Sequence, residues 1–333
     1  MKPTYFRSRG KKIPLPVFFP DATRAIIRTI DSRDIESTKT PGILVNTYHL
    51  YKDLGKNVLK SHDGIHEFMS WYGGVISDSG GFQVMSIIKR NAGNGKVTDE
   101  GVTFHESSKK KVLLTPEISI SFQMLLKPDM VVVLDDFTAP GASKKNAEET
   151  VERTLSWAKR SKDEFEKICK TQGLSGDKKP YLLGVVQGGE YLDLREYCTK
   201  ELVKIGFDGL GYGGWPIRED KTFNYGWHIF DCVLPTRDAR HKRLYVYNAD
   251  SIVKIDVRQE KFYSYYVPTK ERYYHDTQPV STACDCLLCT NYSRSYLAHL
   301  YRIEESTALR LSTIHNLRFY SILMEKLRLR GKL

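Results

Sequence analysis

Seven short apolar runs punctuate the first three-quarters of the chain: PLPVFFPDA (14–22), GILVNTYHL (42–50), GGVISDSGG (73–81), DMVVVLDD (129–136), YLLGVVQGG (181–189), GLGYGG (209–214) and HIFDCVLPT (228–236). They are continuous rather than alternating, rich in β-branched residues and bounded by Gly, Asp or Pro. Runs of that kind read as strands buried on both faces, as in a parallel sheet. Between several of them the pattern becomes helical. Residues 144–169 carry Ala147, Val151, Leu155, Ala158, Phe165 and Ile168 at helical spacing with charges between, and residues 190–205 behave likewise. Strand alternating with helix, with polar residues at the strand ends, predicts an α/β chain of the (β/α) barrel type.

Two stretches break the rhythm. Residues 102–115, VTFHESSKKKVLLT, read as a hairpin insertion carrying Lys109, Lys110 and Lys111. The lysines are either a solvated turn or a nucleic-acid contact. After Arg243 the alternation stops, leaving a short β segment, an irregular stretch, a cysteine cluster and then helices. The expected division is a barrel over 1–243 and a smaller C-terminal part over 244–333.

With 333 residues and a 41% hydrophobic share, the chain is long enough for one large core with a small appendage. No apolar run reaches the eighteen or so residues of a membrane span. The opening MKPTYFRSRGKKIPLPVFFP has no apolar core or cleavage site of a secretory leader. The expectation is a cytoplasmic protein with no membrane partner. The net charge of +11 adds a polyanionic partner, nucleic acid first, against the plainer reading of a basic soluble protein.

Six cysteines are present. Cys169, Cys198 and Cys232 are scattered, but Cys284-Asp-Cys286-Leu-Leu-Cys289 packs three into six residues. A disulfide framework would spread them, so a tight cluster points to metal. Thiolates with a neutral imidazole are the ligand set zinc favours, and four of them close a tetrahedral structural site. His315, in the helical segment LSTIHNLRFY, can supply the fourth ligand; His299 lies in the same region.

Carboxylates supply the rest of the chemistry. Asp78 in SDSGGFQVMS, Asp135 and Asp136 in VVVLDD, and Asp231 in FDCVLPTRDAR each end a predicted strand, as does Gln187. Singly, each Asp reads as a turn or cap residue. Strand ends gather on the catalytic face of a barrel, and several carboxylates with an amide around one mouth suit glycosidic chemistry.

SDSGGFQVMS, VVQGGEYLDLR, FDCVLPTRDAR and CDCLLCTNYSRSYLAHL with the later HNLRFY, in this order, resemble the tRNA-guanine transglycosylases, from NTYHLY (46–51) to the final helices. The resemblance implies a (β/α)8-type TIM barrel with a C-terminal zinc-binding subdomain. It implies that the wobble guanine of tRNA is exchanged for a 7-deazaguanine by double displacement. Asp231 then matches the nucleophile that forms a covalent link to ribose, and Asp78 the general acid/base. Ser79, Gly80, Gly81, Phe82, Asp135, Gln187, Gly213 and Gly214 match the base-binding positions, Phe82 being the stacking aromatic. Pro235, Thr236, Arg237, Asp238, Ala239 and Arg240 match the tRNA-reading segment. Cys284, Cys286, Cys289 and His315 become the ligands of one structural Zn2+ per chain, and Tyr296 and His299 lie where the family forms its homodimer. Ile217 stands where bacterial members have valine and queuine-using eukaryotic members glycine, which favours 7-aminomethyl-7-deazaguanine.

The chain departs from the family at three places. Phe137 replaces a cysteine after the acidic pair, and Trp215 and Pro216 replace small residues. Between Gly214 and Asp231, REDKTFNYGWH (218–228) stands where the family has a helix, a further strand and another helix. One βα unit of the barrel is therefore expected to be missing. This keeps open a second reading, a non-catalytic tRNA-binding subunit or impaired homologue, and a third, base exchange on DNA, which the intact PTRDAR segment disfavours.

Overall fold

A computed structural model describes residues 4–90, 95–107, 110–213 and 228–330. Two compact units divide it, Met1–Leu44 with Gly226–Leu333, and Val45–Tyr225. All seven apolar runs contain a strand.

The Val45–Tyr225 unit holds a sheet whose spatial order follows the chain: Gly74–Asp78, Met130–Val132, Tyr181–Val186, Gly209–Tyr212. These neighbours run parallel, with Ile76 opposite Met130, Tyr181 opposite Met130 and Leu183 opposite Gly209. Gly42–Asn46, which crosses the boundary between the units, borders Gly74–Asp78. Parallel neighbours in chain order require a crossover each time, and the helices supply it.

The helix read from 144–169 spans Lys144–Gln172. Ser143 caps it by accepting from the Asn146 N–H, and Gly173 ends it at φ 63°. Its Ala147, Val151, Leu155, Ala158 and Phe165 are buried in one cluster with Val131, Val133, Leu182 and Val185 of the strands, and Ile168 packs at the margin. The predicted stripe is thus the face that meets the sheet.

The 102–115 insertion is a hairpin, Val102–Ser107 against Lys110–Leu114, extended by a third strand, Gly95–Val97. Lys111 is exposed and Lys109 lies outside the described residues.

In the other unit, Ile229–Cys232 pairs parallel with Val17–Pro20, placing Asp231 opposite Phe19. Asp21, just beyond, bridges Leu44. Gly42 is obligatory here, because a Cβ would sit 2.2 Å from the Phe19 ring. The helices Leu234–Arg240 and Ser306–Arg330 and the hairpin Leu244–Tyr247 with Tyr263–Tyr266 complete it. Sequence patterning showed one β segment here; tertiary pairing makes it two, because the tyrosine-rich second strand has no alternation to mark it.

Gly214, Trp215, Pro216 and Ile217, and the short join that begins at Arg218, lie outside the described residues up to residue 227.

Candidate active site and metal centre

In the Val45–Tyr225 unit the strand Gly74–Asp78 delivers Asp78 at its C-terminal end, where Asn46 Nδ2 donates to Asp78 Oδ2 at 2.7 Å. The chain then turns through Ser79 and Gly80 into the helix Gly81–Arg90. Gly80 has φ +82°, and a Cβ there would lie 2.7 Å from the Tyr48 nitrogen. Only glycine makes that turn, which sets Phe82 at the helix start with half its surface in solvent. Ser79 is buried; its carbonyl accepts from Ser119 Oγ at 3.2 Å.

The acidic pair splits its duties. Asp136 is buried and ion-paired with Arg153. Asp135 turns the other way and accepts from Gln187 Nε2 at 2.6 Å. Gln187 is fully buried, and its Oε1 accepts from the Thr138 N–H at 3.2 Å, which fixes the amide with its NH2 toward Asp135. Burial pushes the Asp135 carboxyl up to about 7; Gln187 pulls it down, and the nearby Asp78 and Asp136 charges push it further up. A carboxyl poised between its two forms, beside an amide and a second carboxylate, can recognise a heterocycle edge bearing N–H groups.

Gly213 packs against the Gln187 amide. A Cβ there would lie 2.4 Å from Gln187 Nε2, so a side chain would push the amide away. Arg195, the last residue of the VVQGGEYLDLR motif and not singled out there, ties these strand ends together. It is buried, with Nε donating to Gly189 O at 2.7 Å, Nη1 to Val186 O at 3.3 Å and Nη2 to Gly213 O at 3.0 Å. Its guanidinium also covers the Tyr212 ring at 4.0 Å. A charged residue on an amphipathic helix ordinarily reads as solvent-facing, so the signal for Arg195 lay only in its place within the VVQGGEYLDLR motif. Phe137 meets Phe82 edge-on, with ring centroids 5.1 Å apart and planes at 82°.

Asp78, Ser79, Gly80, Gly81, Phe82, Asp135, Gln187 and Gly213 therefore belong to one unit. Asp231 belongs to the other, exposed at the third residue of its strand. After it comes the helix Leu234–Arg240, with Pro235 in the first turn, where a missing N–H costs nothing. Pro235, Thr236, Asp238 and Ala239 are buried. Asn316 Nδ2 donates to Pro235 O at 2.9 Å, and Tyr245 Oη donates to Asp238 Oδ2 at 2.7 Å. These four residues build the helix into the unit. Arg237 is exposed and Arg240 half-buried, and these two present charge outward.

Cys284, Cys286, Cys289 and His315 converge in the same unit, with their ligand atoms within 4.8 Å of one another. The His315 ring is buried; its Nδ1 lies 3.5 Å from Cys286 Sγ and 3.3 Å from Cys289 Sγ. On the other side Nε2 lies 2.8 Å from Tyr245 O. A carbonyl only accepts, so Nε2 carries a proton and Nδ1 is the ring nitrogen that faces the sulfurs. His299 is not in the cluster. Asp285, between two of the cysteines, is gripped by the buried Arg318 and by Lys39 at 2.9 Å. The Arg318 hydrogen bond, with Lys39 adding to it, holds its carboxyl at about 2. Neighbouring Cys284 and Cys289 draw the Cys286 proton off, whereas the same proximity holds the Cys284 proton on. Burial alone would depress His315, but the Cys289 and Cys286 sulfurs outweigh it and raise the group. Three sulfurs and an oriented imidazole, all buried, fit a tetrahedral metal ion.

A parallel βα series with carboxylates at strand ends, joined in one chain to a cluster of three cysteines and a histidine that could hold a metal ion, is the arrangement of an α/β enzyme of the TIM-barrel class. A sequence profile described as "Queuine tRNA-ribosyltransferase" matches residues 4–225 and 221–330. Proteins of that name from Shewanella sp. (strain W3-18-1) and Haemophilus ducreyi are 34% and 33% identical, over 95% and 98% of this chain and 86% and 87% of theirs. The one from Actinobacillus pleuropneumoniae serotype 5b is 35% identical over 98% of this chain and 87% of its own. The chain belongs to the queuine tRNA-ribosyltransferase family. The stretch shared with the Shewanella protein, 351 residues, exceeds the 333 of this chain, so the relative has positions for which this chain has no residue. No described helix is long and apolar enough to cross a membrane.

Proposed function

We propose that the protein is a tRNA-guanine transglycosylase, a pentosyltransferase of queuosine biosynthesis, using tRNA with a wobble guanine and a free 7-deazaguanine. The observation that carries this reading is the Asp135–Gln187 pair beside Asp78, a built pocket for a purine-like edge in a chain of this family. In this reading an Asp231 carboxylate oxygen bonds to ribose C1′ as the C1′–N9 bond to guanine breaks, and guanine leaves as it takes up a proton. Asp78 removes the N9 proton of the incoming base, whose nitrogen then displaces Asp231. Two displacements retain configuration at C1′, which is the use of a carboxylate nucleophile. Asp135, Gln187 and the Gly213–Gly214 backbone hold the base edge, and Phe82 stacks on it. The preferred incoming base is 7-aminomethyl-7-deazaguanine.

Cys284, Cys286, Cys289 and His315 would hold one zinc ion, which supplies no open position and so acts as a structural link. The remaining assignments are a cytoplasmic location, a homodimer formed through the region of Tyr296 and His299, and a functional division into 1–243 and 244–333.

A second reading has its own support. The profile match breaks at 221–225 and the shared stretch outruns the chain, as a missing βα unit would require. A subunit lacking that unit would bind tRNA without exchanging its base. Incubating the protein with tRNA and labelled guanine, beside Asp231→Asn, separates the two. Label enters tRNA with the parent and not with the variant if the enzyme reading holds. Tight tRNA binding with no incorporation by either protein overturns it in favour of the binding subunit.

A further inference from the structure

The proposed RNA-reading helix runs on into a surface that the exchange reaction does not use. After Leu234–Arg240 the chain continues through His241, Lys242 and Arg243, all exposed, into the strand Leu244–Tyr247. From Arg237 to Arg243 there are four permanent cations and one acid, Asp238. Asp238 is buried and hydrogen-bonded to Tyr245 Oη, so it faces inward while most of the positive charge faces water.

The partner strand Tyr263–Tyr266 sets Tyr265 opposite Tyr245. Tyr245 is 4% exposed and Tyr265 is 52% exposed, so the first is core and the second is surface. The Tyr265 ring is nevertheless held in place. Tyr245 packs behind it at 5.3 Å and Tyr263 meets it edge-on at 5.7 Å. The Arg243 guanidinium covers it at 5.1 Å from the centroid. The contacts of Arg294 in the same unit differ. Arg294, set 5.7 Å from both Tyr266 and Tyr273, is neutralised by Asp276 at 2.9 Å and is mostly buried. Arg243 has its nearest carboxylate, Asp238, only at 3.9 Å, and its side chain is 55% exposed.

We propose that Tyr265 and Arg243 form a stacking platform for a nucleotide of the bound tRNA, outside the base-exchange pocket. The inference rests on the proposed tRNA function and adds to it a subsite and its chemistry. Every base offers a π-face to an ordered aromatic ring, and a guanidinium beside that ring both stacks and pairs with the adjoining phosphate. A ring held by three neighbours but half in water loses little freedom when a base lands on it. The cationic run from Arg237 leads the phosphate backbone to that ring.

The test measures affinity for tRNA by the full chain at low and moderate salt, for the parent, Tyr265→Ala, Tyr265→Phe and Arg243→Gln, together with KM for guanine and thermal melting. Tyr265→Ala should weaken tRNA binding about tenfold at both salts, because stacking is not screened, and Tyr265→Phe should restore it. Arg243→Gln should weaken binding at low salt and flatten its salt dependence. The guanine KM and the melting temperature should not move. If the parent binds tRNA and Tyr265→Ala binds within twofold of it, the platform is wrong and the proposed function stands. If Tyr265→Ala alters the oligomeric state instead, the surface is a contact between copies, and the proposal falls. A parent that does not bind tRNA would overturn the functional reading and the platform together.

Discussion

Asp135 carries a conflict between stability and recognition. Its carboxyl is pushed up to about 7, chiefly by burial, from an ordinary 3.8. Between those values the folded chain binds more protons than the unfolded one. Stability contributed by this group is therefore greatest at low pH, falls as pH rises through that window, and stays reduced above 7, by an amount on the order of a few kcal/mol. Recognition of a base through its N–H groups runs the opposite way, since the carboxylate is the better acceptor. The affinity for guanine should rise about tenfold from pH 6 to pH 8 as this single group ionises. Asp135→Asn keeps an oxygen for Gln187 and removes the buried charge. It should melt several degrees higher than the parent at pH 8 while base exchange is lost. An Asp135→Asn melting point equal to or below the parent's at pH 8 would contradict the assignment.

Among the elements, the helix Ser306–Arg330 has the most to hold. It presents His315 to the cysteines, Asn316 to Pro235 and to the Tyr245 N–H, and Arg318 to Asp285. One turn of one helix thus ties the cysteine turn to the helix Leu234–Arg240. The coupling predicts that losing the metal disturbs more than the cysteines. Cys286→Ser should purify with far less than one zinc per chain by elemental analysis. It should melt well below the parent, because structural zinc sites add several kcal/mol to folding. Its tRNA affinity should fall, since Tyr245 and Asn316 no longer fix the helix Leu234–Arg240. Full zinc content in Cys286→Ser would count against the ligand set.

For the molecule as a whole, charge is the governing quantity. A net +11 favours a polyanion, and tRNA binding should weaken steeply with salt. Of the six residues Pro235 to Arg240, only Arg237 and Arg240 present charge outward; the other four are buried. Replacing both arginines by Gln should lower the logarithmic salt slope by about 1.5, with all tRNA sequences weakened alike. An unchanged slope would remove those arginines from the phosphate contacts.

How far these properties were legible depends on how local their cause is. The seven strands, the stripe of the Lys144–Gln172 helix and the turn bearing the three clustered cysteines were readable because each follows from spacing within a few residues. The order of those motifs also carried the family, and with it the chemistry. Other features depended on distant partners. In VVVLDD spacing does not separate Asp135 from Asp136, although the family resemblance does; the structure adds the cause, Arg153 pairing with Asp136 and Gln187 with Asp135. His315, which the resemblance named, is aimed at the cysteines by a hydrogen bond from its Nε2–H to Tyr245 O, seventy positions away, which leaves Nδ1 facing the sulfurs. Arg195 is held by three carbonyls from two strand ends, contacts that no local pattern announces. The sequence by itself determined which elements form and which chemistry the chain carries, since propensity and spacing act locally. Only the tertiary structure decided which partners hold each side chain, because burial and hydrogen-bond partners come from segments far apart in the chain.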